Sequence, residues 1–428
     1  MLDIKVLRDD PEAVTAGVRK KRMTDRVAAV EQALVLDGEL RGLIPKLDAM
    51  RSEQKNAGKL MIKLAPLARE QMLAKQKELK QELQGFLERE KTLRAELDQQ
   101  LSLIPNIPDA DVPEGRDDSE NVEVKRVGQV RTVTFAQKTH CEIGEAQGWL
   151  DFERAAAISG SRNYLLIGDL ALLHDAVLRY AIDHMVRQGF TPIDPPLLVR
   201  DAAMFGTGFF PGGEEQTYRC EKDGLNLIGT SEVPITSMHA GEILLEKDLP
   251  KKYVARSACF RREAGTYGKD TRGLYRVHQF QKVEQVVLDV ADKGRSLEHH
   301  QSIVANAEAC LQAFELPYRI VAVCGGDLGV PQAFKYDIET WMPSRNNYGE
   351  THSASRFYDY QARRLQLRYR SEAGKVHYCH TLNNTVIASP RVLIPILEYH
   401  QQQDGTVRLP AALVPYMGGR EVIGRPVF

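Results

Sequence analysis

The sequence predicts an α+β protein in which an antiparallel or mixed β-sheet, flanked by helices, follows an N-terminal arm of two antiparallel helices. Three observations support this fold class. Residues 27–104 carry leucines at heptad spacing and few aromatic residues, and a proline-rich stretch follows from Ile104 to Gly115. The rest of the chain contains short β-rich runs without regular strand–helix alternation. The predicted domains are therefore residues 1–110, the helical arm, and residues 111–428, the sheet domain.

The arm is predicted from two heptad tracks that place apolar residues at positions a and d. The first track comprises Leu36, Leu40, Leu43, Leu47, Met50 and Ala57; the second comprises Met72, Leu79, Leu83, Phe86, Leu93, Leu97 and Ile104. A break around Leu64 to Pro66 separates them, which indicates a coiled-coil hairpin of two long helices. Pro45 interrupts the first track, so we expect a kink near residues 43–46 or a helix that starts there.

The distal half of the arm is locally basic. Between Lys46 and Lys80, nine basic residues stand against four acidic ones, whereas the whole chain has a formal net charge of −1. Such a run fits a solvated coiled-coil surface. It fits equally well a lever that reaches a polyanion, because spaced Lys and Arg side chains neutralise phosphates. The charge run alone leaves both interpretations open.

The second domain begins after the proline-rich linker. A helical pattern covers residues 170–186. The β-rich runs are Tyr164 to Ile167, Thr191 to Ile193, Val254 to Phe260, Phe280 to Val287, Arg319 to Val323 and Tyr336 to Trp341. Because these runs outnumber strand–helix units, they favour an antiparallel or mixed sheet over a doubly wound parallel one.

Composition excludes several classes of protein. A charge balance near neutrality argues against a wholly basic nucleic-acid coat and against an acidic tail. The six cysteines are scattered without a C-x-x-C pair, which indicates reduced structural thiols rather than a zinc or redox site. The charged N-terminus lacks the apolar run of a secretory signal, and no stretch approaches the roughly 18 apolar residues of a membrane span. We therefore expect a cytoplasmic enzyme with no membrane association.

The segment from Arg261 to Glu284 contains the chemistry of an adenylating site. It begins with Arg-x-Glu, passes through a Gly/Asp/Thr loop, and returns on an alternating run that carries Phe280, Lys282 and Glu284. Guanidinium groups bind phosphates, an aromatic face stacks on a base, and a carboxylate pairs with an ammonium. A Walker pattern fails around Gly268, and no G-x-G-x-x-G opens a helix, so ATP must be held by side chains.

Several motifs in the right order resemble the seryl-tRNA synthetase form of the class II aminoacyl-tRNA synthetases. The run from Phe260 through Asp270-Thr271 to Glu284 resembles the second signature motif, and residues 381–400 resemble the third. Gly189 through Val199 resembles the first motif, which forms the dimer interface in that family. The likeness covers nearly the whole chain, arm included. It implies a class II synthetase-like catalytic domain, a homodimer, and an arm that binds tRNA(Ser).

The resemblance implies an ATP-dependent ligase that converts L-serine to seryl-adenylate and transfers serine to the 3′ end of tRNA. It leaves tRNA(Sec) open as a second acceptor. The implied serine-binding residues are Thr230, Ser231, Glu232, Arg261, Glu284, Asn383 and Thr385. The implied ATP-binding residues are Arg261, Arg262, Glu263, Arg276, Val277, Phe280, Glu350, Thr351, His352, Ser353 and Arg391. The resemblance makes Arg261 and Arg391 catalytic and requires no covalent enzyme intermediate.

The resemblance also implies individual roles, and the chemistry of these side chains is consistent with them. Arg261 is expected to grip the α-phosphate, where negative charge builds up in the transition state. Phe280 and Arg391 are expected to sandwich the adenine ring, which combines stacking with a cation over its face. Glu232 and Glu284 are both candidates for the serine ammonium.

The implied metal is Mg²⁺, with Glu350 and Ser353 as its ligands, because hard oxygen donors and ATP phosphates complete an octahedron. Thr351-His352 departs here from the commoner aliphatic-serine pair of the family. We expect His352 to be a neutral hydrogen-bonding residue rather than a catalyst.

Two alternatives keep the fold and change the function. An amino acid:carrier-protein ligase of this family would typically lack the long arm, which this chain contains. A non-catalytic RNA-binding paralogue would have lost an active-site residue, whereas Arg261, Glu284, Thr385 and Arg391 are all present.

Overall fold

The computed structural model describes residues 1–61, 65–265 and 272–426. Two compact units make up the chain, Met1–Ile107 and Pro108–Phe428. Leu64 of the predicted break and Asp270-Thr271 of the second motif lie outside the described residues.

Within residues 1–61 and 65–107, the first unit contains four α-helices: α1 (Ile4–Asp9), α2 (Pro11–Lys20), α3 (Val27–Leu60) and α4 (Pro66–Leu103). The two short helices are capped by aspartates. Asp3 accepts a hydrogen bond from the backbone N–H of Lys5, and Asp10 accepts one from the N–H of Ala13. These caps satisfy backbone donors that have no partner within the helix.

Helices α3 and α4 form the predicted antiparallel pair. Lys75 Nζ lies 3.0 Å from Glu53 Oε1, and Arg89 Nη2 lies 2.7 Å from Glu39 Oε2. Residue numbers therefore increase along α3 in the direction in which they decrease along α4. The heptad leucines that are buried are Leu40, Leu43 and Leu47 of α3 and Leu79, Leu83, Leu93 and Leu97 of α4. The coiled-coil arm inferred from the two tracks is confirmed.

Pro45 lies inside α3. The helix begins at Val27, so the expectation of a helix that starts near residues 43–46 is wrong. Leu43 and Leu47 on either side of the proline are only 8% and 1% exposed. Tertiary burial of this face stabilises the helix enough to offset the backbone hydrogen bond that proline cannot donate.

The second unit is built on an eight-stranded sheet in the order β1-β11-β12-β13-β16-β10-β9-β4. Its strands are β1 (Val122–Val127), β4 (Thr191–Ile193), β9 (Lys251–Phe260), β10 (Gln279–Asp289), β11 (Tyr318–Ala322), β12 (Phe334–Met342), β13 (Asn347–Tyr358) and β16 (His380–Ser389). All neighbours pair antiparallel except β4 and β9, which pair in parallel. The predicted antiparallel or mixed sheet is therefore confirmed.

Short strands form smaller sheets around the large one. They are β2 (Leu150–Asp151), β3 (Leu165–Leu166), β5 (Leu198–Arg200), β6 (Arg219–Cys220), β7 (Leu225–Leu227), β8 (Ile243–Leu245), β14 (Arg368–Arg370), β15 (Val376–Tyr378), β17 (Val407–Arg408) and β18 (Val422–Ile423). The helices of this unit are α5 (His140–Gln147), α6 (Phe152–Ser159), α7 (Asp169–Arg187), α8 (Asp201–Thr207), α9 (Glu232–Ser237), α10 (Lys293–Ala313), α11 (Tyr360–Leu365) and α12 (Leu393–His400).

The main core lies between the large sheet and helices α7, α10 and α12. Its fully buried members include Leu173, Val177, Leu311 and Ile396 from the helices and Val287 from β10. None of the helices in the described ranges is long and apolar enough to cross a membrane. The six cysteines are free thiols.

Candidate active site

A cavity of about 220 Å³ opens beside the central strands β10, β13 and β16. Most of the residues that the sequence assigned to substrates line it together. These are Thr230, Glu232, Arg261, Glu263, Arg276, Val277, Phe280, Glu284, Glu350, Thr351, His352, Ser353, Asn383, Thr385 and Arg391. One cleft therefore holds both the phosphate-binding chemistry and the carboxylate chemistry.

Strand β10 contributes a row of side chains to this cavity. Phe280, Lys282 and Glu284 alternate along the strand, and all three line the cavity because side chains at spacing two point to the same face. The ladder to β16 places Thr385 directly opposite Glu284. Strand pairing thus joins the second and third sequence motifs at this position.

Arg261 lies immediately after the end of β9. Its Nε donates a hydrogen bond to the carbonyl oxygen of Gly229, at 3.3 Å. Its guanidinium carbon lies 5.2 Å from the centre of the Phe280 ring. The guanidinium is therefore held by the Gly229 carbonyl group and lies within cation–π distance of the Phe280 ring.

Two buried carboxylates, Glu232 and Glu284, lie close together in one part of the cavity. Glu232 Oε1 accepts a hydrogen bond of 2.8 Å from Nε2 of Gln361, whose own Oε1 accepts one from Thr381. Burial raises the pKa of Glu232 to about 7, and repulsion from Glu284 acts in the same direction. The side chain of Asn383 lies beside Glu232, where its hydrogen bond acts against the rise in that pKa.

Among the described residues, the polar contacts of Glu284 converge on one carboxylate oxygen, Oε2. Lys282 Nζ is in direct contact with Oε2, and Thr385 Oγ1 donates to the same atom at 3.3 Å. Burial raises the pKa of Glu284, whereas the ammonium of Lys282 opposes that shift. The side chains of Lys282 and Glu284 are 8% and 2% exposed. This part of the cavity therefore holds a desolvated ion pair.

Arg391, which also lines the cavity, is held in place by backbone and ring contacts. Its Nε donates to the carbonyl oxygen of Tyr275 at 3.1 Å, and its Nη1 donates to that of Glu350 at 3.1 Å. The guanidinium lies 4.4 Å from the centre of the Tyr275 ring, and Arg345 lies 3.8 Å from that centre. Gly349 leaves room beside the ring, because a Cβ atom there would lie 3.0 Å from Met342 Sδ and 3.3 Å from the Tyr275 ring, both closer than ordinary van der Waals contact. These contacts fix the orientation of the Arg391 guanidinium.

Comparison with known proteins covers both units of the chain. A family model described as the seryl-tRNA synthetase N-terminal domain matches residues 1–108, and one described as the tRNA synthetase class II core domain (G, H, P, S and T) matches residues 218–400. A serine–tRNA ligase of Deinococcus radiodurans is 48% identical over 427 residues, which cover 100% of both chains. The chain belongs to the seryl-tRNA synthetase family.

Solved structures of seryl-tRNA synthetases have the same fold. The enzyme of Pyrococcus horikoshii in complex with ATP superposes with a TM-score of 0.94, at 40% identity and 100% coverage of both chains. The cytoplasmic serine–tRNA ligase of Naegleria fowleri in complex with AMP gives 0.89, at 33% identity and 99% coverage of both. The class II catalytic domain and the helical arm predicted from the sequence are confirmed.

The predicted metal segment lies on β13 at the edge of the cavity. Partial burial acts to raise the pKa of Glu350, whose side chain is still 46% exposed, but nearby cations, with Arg391 and Lys335 foremost, hold it below its ordinary value. An ionised carboxylate beside a phosphate site is a donor that Mg²⁺ prefers. Within the described residues no group of three or more His, Cys, Asp and Glu could hold a metal.

His352 is buried next to this segment. Its Nδ1 lies 2.8 Å from Thr351 Oγ1, which in turn lies 2.7 Å from Thr340 Oγ1. Burial lowers the pKa of His352 to about 4, so the ring is neutral at physiological pH. The Thr-His pair that departs from the family pattern therefore forms a chain of neutral hydrogen-bonding groups.

Two predicted residues do not line the cavity, and eight lining residues were not among the predicted site residues. Ser231 is fully buried at the start of α9, and Arg262 is exposed. Tyr275 and Lys282 both contact predicted site residues. The period-two alternation of β10 was a signal for Lys282, whereas nothing local in the sequence marks Tyr275 as the support of Arg391.

Proposed function

We propose that this protein activates L-serine with ATP to form seryl-adenylate and then transfers serine to the 3′ end of tRNA(Ser). The observation that carries this proposal is the single cavity that joins Arg261, Phe280 and Arg391 to the polar pocket around Glu232 and Glu284. The first group suits a nucleotide triphosphate. The second group suits a small amino acid with a hydroxyl group. Relatives that align with nearly the whole chain are serine–tRNA ligases.

In the first step the serine carboxylate attacks the α-phosphorus of ATP, the new acyl–phosphate bond forms, and pyrophosphate leaves. Arg261 is placed to stabilise the charge that develops on the α-phosphate oxygens. Phe280 and Arg391 hold the base, so the reacting atoms are brought together with little further loss of freedom. Neither group donates or removes a proton in this step.

In the second step a ribose hydroxyl of the tRNA terminus attacks the carbonyl carbon of the adenylate, and AMP leaves. The acyl group passes directly to tRNA without a bond to the protein. Because the AMP phosphate can accept the hydroxyl proton as it departs, no protein base is required for the transfer.

Mg²⁺ is the proposed metal, and Glu350 with Ser353 would hold it beside the phosphates. When bound, it supplies charge neutralisation for the pyrophosphate leaving group. The ionised state of Glu350 supports this assignment. We further propose that the protein is cytoplasmic and that it works as a homodimer through residues 189–199, where β4 pairs with β9 at one edge of the large sheet.

Domain 1–110 is proposed to bind tRNA through its basic distal half. The bases Lys46, Lys55, Lys59, Arg69, Lys77 and Lys80 are all exposed, and none of them forms an ion pair with a described residue. Free cations at this spacing can displace counterions from an RNA backbone. A carrier-protein ligase would have no use for such an arm, which disfavours that alternative.

Pyrophosphate exchange with each of the twenty amino acids tests the first step. Serine alone is expected to support exchange, because a pocket built to hydrogen-bond a hydroxyl leaves buried groups unpaired when alanine binds. Charging of total tRNA, followed by identification of the acylated species, tests the second step and shows whether tRNA(Sec) is a substrate. Exchange with another amino acid in preference to serine would contradict the proposal.

Serine binding is expected to weaken as the pH falls below 7. The pKa of Glu232 in the empty pocket is about 7. The substrate ammonium pairs with the ionised carboxylate, so at lower pH a proton must first be lost. The Michaelis constant for serine should therefore rise about tenfold from pH 8 to pH 6. Steady-state pyrophosphate exchange between pH 6 and pH 8 measures the Michaelis constant for serine, and the constant for ATP serves as the reference. A Michaelis constant for serine that does not change with pH would contradict the assignment of Glu232.

A further inference from the structure

Lys282 is a buried cation in the part of the cavity that holds Glu232 and Glu284. The reaction described above does not use it. It lies on β10 midway between Phe280 and Glu284 and is 6% exposed as a whole residue. A lysine in so dry a place is costly unless it is paired. Its Nζ contact with Glu284 supplies that pairing.

The contact fixes the orientation of the Glu284 carboxylate. Lys282 and Thr385 both bind Oε2. No hydrogen bond from the part of the chain described here reaches Oε1 of Glu284. One oxygen is thus anchored by the protein, and the other is left for a ligand in the cavity that Glu284 lines.

The charges in the pocket explain why a cation is needed there. Glu232 and Glu284 are both buried, and burial raises the pKa of each. The charge of Glu284 raises the pKa of Glu232 further. A substrate ammonium can neutralise only one of two carboxylates. Lys282 supplies the second positive charge, so both carboxylates can be ionised when serine is bound.

We propose that Lys282 is a positioning residue for the amino acid: it keeps Glu284 ionised and turned so that Oε1 is available to the hydroxyl or ammonium of serine. This inference rests on the proposed function, because it assumes that serine occupies this part of the cavity. The lysine touches Glu284 rather than the reacting atoms, and therefore acts through that carboxylate.

The groups that surround Glu284 come from four elements. Lys282 lies on the same strand, Cys259 lies on β9, and Arg261 directly follows it. Helix α9 begins with Glu232, and β16 contributes Asn383 and Thr385, which do not titrate. Lys282 is the cation in direct contact with the carboxylate, so its removal should change the proton affinity of Glu284 more than any other substitution here.

The test compares Lys282→Met with the unmodified enzyme in serine-dependent exchange from pH 6 to pH 9. Methionine keeps the apolar length of the side chain and removes the charge. The Michaelis constant for serine should rise about 10- to 100-fold at pH 7, because a carboxylate left buried without its partner takes up a proton or loses its orientation. The constant for ATP should change less than about threefold. The serine defect should shrink toward pH 9, as Glu284 ionises again.

Companion variants keep the result interpretable. In a Glu284→Gln background, Lys282→Met should add less than about threefold, because the two residues act as one unit. Lys282→Arg, which retains the cation, should recover part of the serine affinity. If Lys282→Met alone does not fold, the double variant should fold, because removing both buried charges is less costly than removing one.

Three results would overturn the inference. They are an unchanged serine constant in Lys282→Met, equal and pH-independent rises for serine and ATP, and full additivity with Glu284→Gln. Failure of the proposed function would look different, because the unmodified enzyme itself would then show no serine-dependent exchange.

Discussion

Arg261→Ala is expected to remove serine-dependent pyrophosphate exchange while leaving the protein folded. The guanidinium lies between Gly229 and the Phe280 ring, where it can meet the α-phosphate. A donor aimed at developing charge in a water-poor site is worth roughly 10²- to 10³-fold in rate. The loss should appear mainly in kcat, because the interaction is strongest in the transition state. Isotope exchange at saturating serine and ATP measures it.

Arg154→Ala is the matched control for this experiment. Arg154 is 80% exposed and pairs with Asp151 on the surface, so its removal tests the general effect of losing an arginine. Its exchange rate and melting temperature should stay close to those of the unmodified protein. Near-normal exchange in Arg261→Ala would refute the phosphate role, and a loss of folding would be visible in the melting curve.

The β9–β10 hairpin shows what local sequence pattern can establish. Alternation along residues 280–284 was enough to place Phe280, Lys282 and Glu284 on one face. It could not show that β16 and α9 enclose that face, because those elements come from distant parts of the chain. Burial converts Lys282 from a surface base into the partner of Glu284, and burial is decided by tertiary packing.

The orientation of Arg391 in the cavity depends on contacts that no spacing in the sequence reveals. Arg391 is held by backbone carbonyls of Tyr275 and Glu350, which are 116 and 41 residues away in the chain. The family resemblance identified Arg391 as a site residue but gave no reason for its orientation. Stacking on Tyr275, with Gly349 leaving room for the ring, supplies that reason.

In the arm, heptad spacing predicted the pairing of the two long helices. The effect of Pro45 could not be predicted from local sequence alone. Leucines at a and d determine which faces meet, so Leu47 and Leu83 are buried as the pattern requires. Pro45 argued for a kink or for a helix start because it lacks a backbone donor, and only the helix start is excluded by α3. The buried leucines on both sides of it contribute more to the helix than that one hydrogen bond.

Removing the distal arm is expected to separate the two steps of the reaction. Deleting residues 46–80 and joining the ends with a short glycine-serine turn should leave serine-dependent exchange unchanged, because every residue that lines the cavity lies in unit Pro108–Phe428. Charging of tRNA(Ser) should fall by roughly 10²-fold or more, since the phosphate contacts of the arm are lost. Exchange and aminoacylation assays on one preparation give both numbers. Undiminished charging would show that the arm is structural.

Point substitutions on the intact arm distinguish charge from shape. Replacing Lys55, Lys59 and Lys77 by glutamine keeps the helices, because glutamine is a good helix former and these side chains are exposed. The apparent affinity for tRNA should fall, and its logarithmic dependence on salt should lose roughly one unit of slope for each phosphate contact removed. Replacing Glu70 and Glu78 by glutamine is the opposite control: it removes two negative charges from the same exposed surface and should strengthen tRNA binding. If both sets of variants behaved alike, the solvated-surface interpretation of the basic run would stand, and the electrostatic role of the arm would be refuted.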